Sequence, residues 1–233
     1  EGEFLRLSLE GELTLAGTNE FDGSGSITIT RDKRLVQIDV YEFWITEGTG
    51  ANISIKANAI EKVDGEVPFK IMDGASEPLI LGQVNGEYIA ATGMFTGGGD
   101  IRLGRDVEFD LGGGVSIVFE KDSGGNGQVT DNELRELGGT LNLTLKKDGE
   151  GLVQVSASGR YDAVEKKLIE AEGSATLLQD MELLGGEIVI SGLTGHAKIV
   201  NNELVEAGGS ASIAMPNFAD LSVEGTGAEA VVA

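Results

Sequence analysis

A run of acidic and amide residues at positions 122–133, Asp-Ser-Gly-Gly-Asn-Gly-Gln-Val-Thr-Asp-Asn-Glu, has the spacing of a calcium-binding loop. Such a loop places oxygen ligands at its first, third and fifth positions, glycine at the sixth, an aliphatic residue at the eighth and glutamate at the twelfth. Asp122, Asn126 and Glu133 fill the first, fifth and twelfth positions. The sequence therefore predicts these three residues as candidate calcium ligands, with calcium as the one cofactor to be tested.

The same stretch has a second interpretation, as the turn of a β-hairpin. Its third position is Gly124, which has no side-chain oxygen, and the flanking sequences alternate like strands, whereas an EF-hand loop lies between helices. Residues 131–133 also resemble Asn-Asn-Glu at 201–203. On this interpretation residues 131–133 are a hairpin turn and residues 122–130 are a glycine-rich insertion.

Other features that could carry chemistry lack the partners that the chemistry needs. The chain has no cysteine and one histidine, His196, so a zinc site or catalytic triad would depend on carboxylates that the sequence does not single out. Glycine-rich runs at 95–104 and 110–118 lack the Lys-Ser/Thr of a phosphate-binding loop. The aromatic cluster at 41–44 could stack on a sugar, but packing is the interpretation we favour. We expect no catalytic residue and no enzyme activity.

The charge of the chain limits its partners. It carries 39 acidic against 17 basic residues, a net charge of −22, which repels nucleic acids and anionic membranes. No apolar run approaches the ~18 residues of a membrane-spanning helix. We therefore expect a soluble chain with no nucleic-acid partner and no membrane insertion. The lack of cysteine fits both a cytosolic protein and a bacterial secreted or surface protein, and we expect the latter.

Alternation of apolar and polar residues is the main signal of secondary structure. It runs through residues 4–17, 141–145 and 153–161, with Leu, Ile or Val on one face and Ser, Thr, Arg or Glu on the other. A period of two indicates strands, and strands with one polar face are typical of antiparallel sheets. The composition of 36 glycines and 3 prolines favours long strands joined by tight turns.

An internal repeat of about 35 residues organises these strands. Segments 131–143, 165–177 and 201–213 align, with a fainter copy at 85–95 and a further candidate at 31–43. Each copy begins with a polar turn and continues into an alternating segment through a small residue. The repeat predicts one β-hairpin per unit. The aligned positions are Leu134, Leu168 and Leu204, followed by Gly139, Gly173 and Gly209.

The predicted fold class is all-β, an elongated antiparallel meander of repeated hairpins that is curled or two-layered. A closed barrel or a sandwich is the alternative. We expect residues 1–84 to form an N-terminal hairpin region, less regular at 46–82, and residues 85–233 to form the repeated array. The first residues read like the middle of a longer sequence, so we expect one continuous domain of a larger protein.

These features predict a non-enzymatic structural or interaction module whose partners are neighbouring domains or other proteins. A lipid or hydrophobic-ligand carrier is the alternative, because strands with one apolar face can enclose an aliphatic groove. A carbohydrate-active or other enzyme is the third interpretation, and no set of residues supports it. The groove of a carrier would be lined by Leu5, Leu7, Ile27, Ile29, Leu141, Leu143 and Val155.

Overall fold

The computed structural model describes residues 5–14, 20–183, 186, 188–214 and 222–226. These residues form 18 β-strands and no α-helix. The strands are β1 (Leu5–Thr14), β2 (Glu20–Ile29), β3 (Lys33–Ile38), β4 (Tyr41–Ile45), β5 (Gly50–Lys56), β6 (Ala59–Met72), β7 (Ile80–Ile89), β8 (Met94–Leu103), β9 (Val107–Gly112), β10 (Val115–Phe119), β11 (Gly124–Thr130), β12 (Glu133–Lys147), β13 (Glu150–Asp162), β14 (Lys167–Leu177), β15 (Met181–Leu183), β16 (Ile188–Val200), β17 (Glu203–Ala214) and β18 (Ser222–Thr226).

Antiparallel pairing connects the 18 strands into one sheet, which confirms the predicted all-β antiparallel meander. Among the described residues, β1 pairs with β2 and β18 pairs with β17. The sheet is not closed into a barrel, so the alternative of a closed barrel is wrong. No helix in the described part of the chain is long and apolar enough to span a membrane.

Some pairs of strands lie in line with each other and together form one long strand with a short break in it. β4 and β5 both pair with β6, at residues 69–72 and 59–66, so they run in line along it. β3 pairs with β4 and β2 pairs with β5, so β2 and β3 are also in line. The breaks at residues 30–32 and 46–49 therefore lie side by side, and we call this pair of breaks a kink.

A unit of 74 residues repeats along the chain. The strands that begin at residues 20, 33, 41, 50 and 59 are followed, each 74 residues later, by strands that begin at 94, 107, 115, 124 and 133. The third copy begins with β14 and β15, which start 73 and 74 residues after β8 and β9, but β16 runs on where the second copy has β10, a loop and β11. β16 pairs with β15 over its first residues and with β14 over its last, and a bulge near Gly192 replaces the loop.

The 74-residue unit contains two long hairpins, which explains the 35-residue period in the sequence. The copies at 131, 165 and 201 begin at hairpin turns, as predicted. The copy placed at 85–95 is wrong in register, because residues 85–87 lie inside β7 and the turn follows at 90–93.

Residues 46–82 contain β5 and β6, which are the counterparts of β11 and β12. The boundary between residues 84 and 85 falls inside β7 and stays a prediction.

The second copy has the corresponding breaks at residues 104–106 and 120–123, which we call the second kink. The chain divides into two compact units. The first unit contains Glu1–Arg105 and Gly125–Glu136, and the second contains Asp106–Gly124 and Leu137–Ala233. Within each unit the strand register places apolar residues of neighbouring strands on one face. In the first unit this apolar face includes Ile27, Ile53, Val63, Val67, Val84 and Tyr88. In the second unit it includes Leu143, Leu145, Val153, Val155, Ala175 and Leu177.

Burial in this sheet concentrates at the kinks. Ile29, Val118 and Leu177 are the buried apolar residues of the described chain, and Ser123 is its buried polar residue. Ile29 is the last residue of β2, Val118 lies near the end of β10, Leu177 is the last residue of β14 and Ser123 directly precedes β11. The Oγ of Ser123 accepts the N–H of Asn142 at 3.0 Å, so its burial leaves no unpaired hydroxyl. Between the kinks, most apolar side chains keep contact with solvent.

Candidate functional site

The predicted calcium ligands are separated by a strand. Asp122 lies in the loop before β11, Asn126 lies within β11 and Glu133 is the first residue of β12. Because an extended strand rises about 3.3 Å per residue, the seven residues of β11 hold Asp122 and Glu133 about 20 Å apart. The structure therefore does not bring the three side chains together. No group of three or more His, Cys, Asp or Glu with metal-binding geometry occurs in the described residues. Calcium binding stays a prediction.

The hairpin interpretation of residues 131–133 agrees with the backbone. Asp131 and Asn132 have φ values of 52° and 66°, the left-handed conformation of a two-residue hairpin turn that asparagine and aspartate tolerate. The interpretation of residues 122–130 as an insertion is wrong. Residues 124–130 form β11, which matches β5 without any added residue.

The second residue of this hairpin turn is asparagine in all three copies, and its side chain makes the same hydrogen bond in each. Its side-chain oxygen accepts a backbone N–H from the neighbouring strand. The pairs are Asn58 with Phe21 at 2.9 Å, Asn132 with Phe95 at 2.9 Å and Asn202 with Leu168 at 2.8 Å. Sequence analysis found the turns of Asn132 and Asn202 but not that of Asn58, and it missed this bond in all three, because the partner strand lies 34 to 37 residues away.

A second recurring feature is an aspartate whose side chain forms a hydrogen bond between the two breaks of a kink. Asp32 Oδ1 accepts the N–H of Glu47 at 2.9 Å, and Asp106 Oδ1 accepts the N–H of Lys121 at 2.7 Å. Asp32 also accepts a hydrogen bond from Lys70. The bond from Lys70, followed by that from the Glu47 N–H, lowers the pKa of Asp32. The dipeptide Arg-Asp at 31–32 and again at 105–106 is the sequence signal that could have revealed this device.

The polar faces of both units carry shallow clefts with mixed charges. In the first unit, Lys62 contacts Glu87 at 2.7 Å and Asp64 at 3.4 Å. The hydrogen bond from Asn52 and the charge of Lys62 lower the pKa of Asp64. A neighbouring cleft of the same unit is lined by Asp100, Asn126 and Gln128. Lys62 therefore neutralises part of the acidic surface here.

His196 lies in a cleft of the second unit with Glu206, Ser156 and Ser174. Its Nε2 is 3.1 Å from Glu206 Oε1, and the ring covers Gly208. A serine, a histidine and a glutamate on one face invite comparison with a hydrolase triad. The side chain of His196 is 43% exposed on an open sheet, and in the described residues no serine hydroxyl hydrogen-bonds to it. The cluster therefore lacks the activated nucleophile of a triad.

The aromatic cluster at 41–44 is divided between the two faces of β4. The ring of Phe43 stacks on Phe69 with 5.2 Å between centroids. Trp44 lies on the opposite face, where its Nε1 donates to Glu42 and Lys70 Nζ lies 5.7 Å from the ring centroid. These contacts engage Phe43 and Trp44 in packing, as the interpretation favoured from sequence expects.

Large apolar side chains are the most prominent exposed feature of the described chain. On the hairpin of β3 and β4, Val36, Ile38 and Tyr41 share one face and are 48%, 70% and 50% exposed. Among the residues expected to line a hydrophobic groove, Leu7 is 67% exposed, whereas Ile29 is buried. Exposed apolar surface of this density is the feature for which a function must account.

Neither a family model nor a curated protein nor a solved structure matches this chain.

Proposed function

We propose that this chain is a non-enzymatic interaction module of a larger bacterial secreted or surface protein. Its repeated hairpins form a scaffold, and the apolar faces of its units dock neighbouring domains or a protein partner. The observation that carries the proposal is the exposure of Val36, Ile38 and Tyr41 on one face of a single hairpin.

The energetics favour an occupant for this face. Full burial of one Val, Ile or Tyr-sized apolar side chain contributes about 1.5–3 kcal/mol. Three neighbouring side chains at about half exposure could therefore contribute several kcal/mol when a partner covers them. Monomeric soluble proteins rarely leave contiguous apolar patches uncovered, and such patches often mark binding surfaces.

The charge of the chain indicates the character of the partner. The chain as a whole is strongly acidic, with a net charge of −22. Complementary charge accelerates association and excludes partners of like charge. A partner with an apolar centre and a basic rim fits this surface best.

Cysteine labelling tests the proposal, because the chain has no cysteine of its own. The variants are Ile38→Cys on the apolar face and Gln37→Cys on the opposite face of β3. We expect both thiols to react equally with a membrane-impermeant maleimide in the isolated chain. In the full-length protein on intact cells, we expect Gln37→Cys to react and Ile38→Cys to be protected at least tenfold.

The two variants separate location from docking. Equal labelling of both on intact cells would contradict the docking proposal while supporting surface exposure. Labelling of neither until the cells are lysed would contradict the surface location. Protection of Ile38→Cys in the lysate would still support docking.

A hydrophobic-ligand carrier is the second candidate, and the aliphatic character of the apolar faces favours it. Aromatic residues make up only 5% of the chain, so the exposed surface is mostly Leu, Ile and Val, which suits acyl chains. Native mass spectrometry of the chain purified without detergent tests this candidate. Adducts of lipid mass would support it, and a bare chain under conditions that keep lipid on a known carrier would contradict it.

A further inference from the structure

One side of the sheet formed by β2, β5, β6, β7 and β8 carries no charged residue. These strands all belong to the first unit. Every residue that they place on this side is Gly, Ala, Val, Ile, Leu, Phe or Tyr. We call this side the central face, and the hairpin of β3 and β4 lies outside it. One row of the face crosses the five strands through Gly25, Ile53, Val63, Tyr88 and Phe95.

The central face is open to solvent. Val67, Val84 and Tyr88 are 38%, 46% and 42% exposed, and Ile101 is 51% exposed. Within the described chain, Ile29 beside the first kink is the buried residue of this face. A sheet with one apolar side is stabilised when another layer packs against that side. The central face therefore has the exposure and the composition of an interface.

The charged residues of the same strands lie on the other side of the sheet. Lys62, Asp64 and Glu66 occupy the alternate positions of β6, as do Glu87 on β7 and Asp100 on β8. Two copies that meet through their central faces keep these charges on the outside. Because packed sheets lie about 10 Å apart, the charges of the two copies are separated by more than the Debye length of about 8 Å. The acidic character of the chain is therefore compatible with contact between two copies.

The area of the central face matches that of a stable dimer interface. β6, β7 and β8 pair with one another over ten residues, and β2 pairs with β5 over six. With strands about 4.8 Å apart and a rise of about 3.3 Å per residue, the face covers about 650 Å² in one copy and about 1,300 Å² in two. Specific interfaces bury about 1,200–2,000 Å² in total.

We propose that the occupant of the central face is a second copy of this chain, packed face to face as the second layer of a sandwich. The inference rests on the docking function proposed above and names the partner of one face. In a two-fold contact the same surface serves both copies, so the assembly closes as a dimer. The strands of the two layers then cross at about 30°. A face without charges has no group that selects a basic partner, and this favours the second copy.

Sedimentation of variants at two neighbouring residues of β7 tests the proposal. Val84 lies on the central face and Asn85 on the opposite side, and both are exposed. Val84→Lys and Asn85→Lys change the net charge equally. We expect the chain to sediment as a dimer. The dimer Kd should rise at least a hundredfold in Val84→Lys, because the contact buries the new charge twice, and less than threefold in Asn85→Lys.

A milder variant guards against misfolding of Val84→Lys. Val84→Thr keeps the shape and the β propensity of valine but adds a hydroxyl to the central face. Because each dimer contains this hydroxyl twice, we expect the Kd to rise at least fivefold while the far-ultraviolet circular dichroism stays that of wild type. A dimer that Val84→Thr leaves unchanged would contradict contact at this face.

Cysteine labelling gives an independent readout of the same surface. We expect Val84→Cys to react with a maleimide at least tenfold more slowly at high protein concentration than after dilution below the dimer Kd, because mass action dissociates the dimer. Asn85→Cys should react equally fast at both concentrations. Protection of Val84→Cys that does not change with concentration would overturn the proposal.

The remaining outcomes distinguish other occupants from a second copy. A chain that is monomeric at every concentration overturns the proposal, and lipid adducts on that monomer in native mass spectrometry would assign the face to a hydrophobic ligand. Equal Kd values for Val84→Lys and Asn85→Lys would place the dimer contact elsewhere. A monomeric chain whose Ile38→Cys is still protected on cells would contradict this inference and leave the docking function standing. A dimer through the central face with unprotected Ile38→Cys would contradict docking at the hairpin alone.

Discussion

The second and third copies of the repeat place different side chains at the same point of the sheet. In the second copy, a Cβ on Gly86 would lie 2.5 Å from the ring of Phe95, and a Cβ on Gly97 would lie 2.7 Å from it. The ring therefore covers both glycines. The first copy has the same arrangement, in which the ring of Phe21 covers Gly11 and Gly23.

The third copy replaces the aromatic ring and one of the two glycines together. Leu168 stands in the place of Phe95, because its N–H donates to the turn asparagine in the same way. Ala171 stands in the place of Gly97, since it pairs with Gly159 as Gly97 pairs with Gly86. These glycines therefore leave the space that an aromatic ring occupies. Where the ring is absent, a methyl group is tolerated.

The largest expected effect comes from a methyl group placed under Phe95. Gly97→Ala would force its Cβ against the ring and against the backbone oxygen of Asn85. Overpacking of this kind costs about 1–3 kcal/mol, and we expect a loss of that size in the free energy of unfolding measured with urea. Phe95→Leu in the same chain should recover the part of the loss that is due to the ring, whereas the contact with the backbone oxygen of Asn85 remains. A double variant that loses the sum of both single effects would contradict the pairing of ring and glycine.

Substitution of the turn asparagine should have similar effects on stability in the second and third copies, although only the second of these two has the aromatic ring. Asn132→Ala removes the bond to Phe95 and puts alanine at a φ of 66°, so we expect a loss of about 1–2 kcal/mol in chemical unfolding. Asn202→Ala, at a φ of 67°, should cost a similar amount. Asn132→Gly keeps the φ value and loses only the side-chain hydrogen bonds, from the Phe95 N–H and to the Gly93 carbonyl, so it should cost less than alanine. An Asn132→Gly variant less stable than Asn132→Ala would count against this explanation.

The second and third copies differ at this point, because the second has a loop for the aspartate to hold and the third does not. Asp106 accepts the N–H of Lys121 in that loop, and its removal in Asp106→Ala should cost about 1 kcal/mol. Asp180 stands 74 residues later, where the loop is replaced by the bulge of β16, and it is exposed. We expect Asp180→Ala to change the free energy of unfolding by less than about 0.5 kcal/mol. Equal losses for the two variants would refute this role of the aspartate.

A smaller, pH-dependent effect is expected at the first kink. The hydrogen bond from Lys70 lowers the pKa of Asp32 below its ordinary value of 3.8. A carboxyl with a lowered pKa in the folded chain stabilises it above pH 3.8, and this contribution is lost as the pH falls through the lowered value. Asp32→Asn should therefore lower the free energy of unfolding at pH 7. Below pH 3.8, the free energies of unfolding of the variant and the wild type should become more similar. A difference that is constant from pH 7 to pH 3 would disprove the linkage.

The smallest effect is expected from calcium. Because β11 separates Asp122 from Glu133, millimolar calcium should leave the thermal midpoint unchanged relative to EDTA. Asp122→Ala should give the same result as wild type in both buffers. A rise of several degrees with calcium that Asp122→Ala abolishes would restore the calcium loop.

The sequence determined the local features of this protein. Alternation of period two identified strands such as β1 and β13, and the turn residues at 131–132 and 201–202 identified hairpins. These signals are local, because a side chain alternates between faces on its own strand and a turn residue sets its own φ. The half-exposed character of the strands followed from the same alternation.

The pairing of distant segments in the sheet is visible in the folded structure and not in the sequence. The folded structure showed that residues 122–133 are a strand and a turn, that the repeat spans 74 residues, and that Phe95 requires glycine beneath it. Asn132 bonds to Phe95, which lies 37 residues away in the sequence. The calcium-like spacing of residues 122–133 contains no information that β11 is extended. Register is set by pairing between strands that are remote in the chain, so a pattern read along one segment cannot contain it.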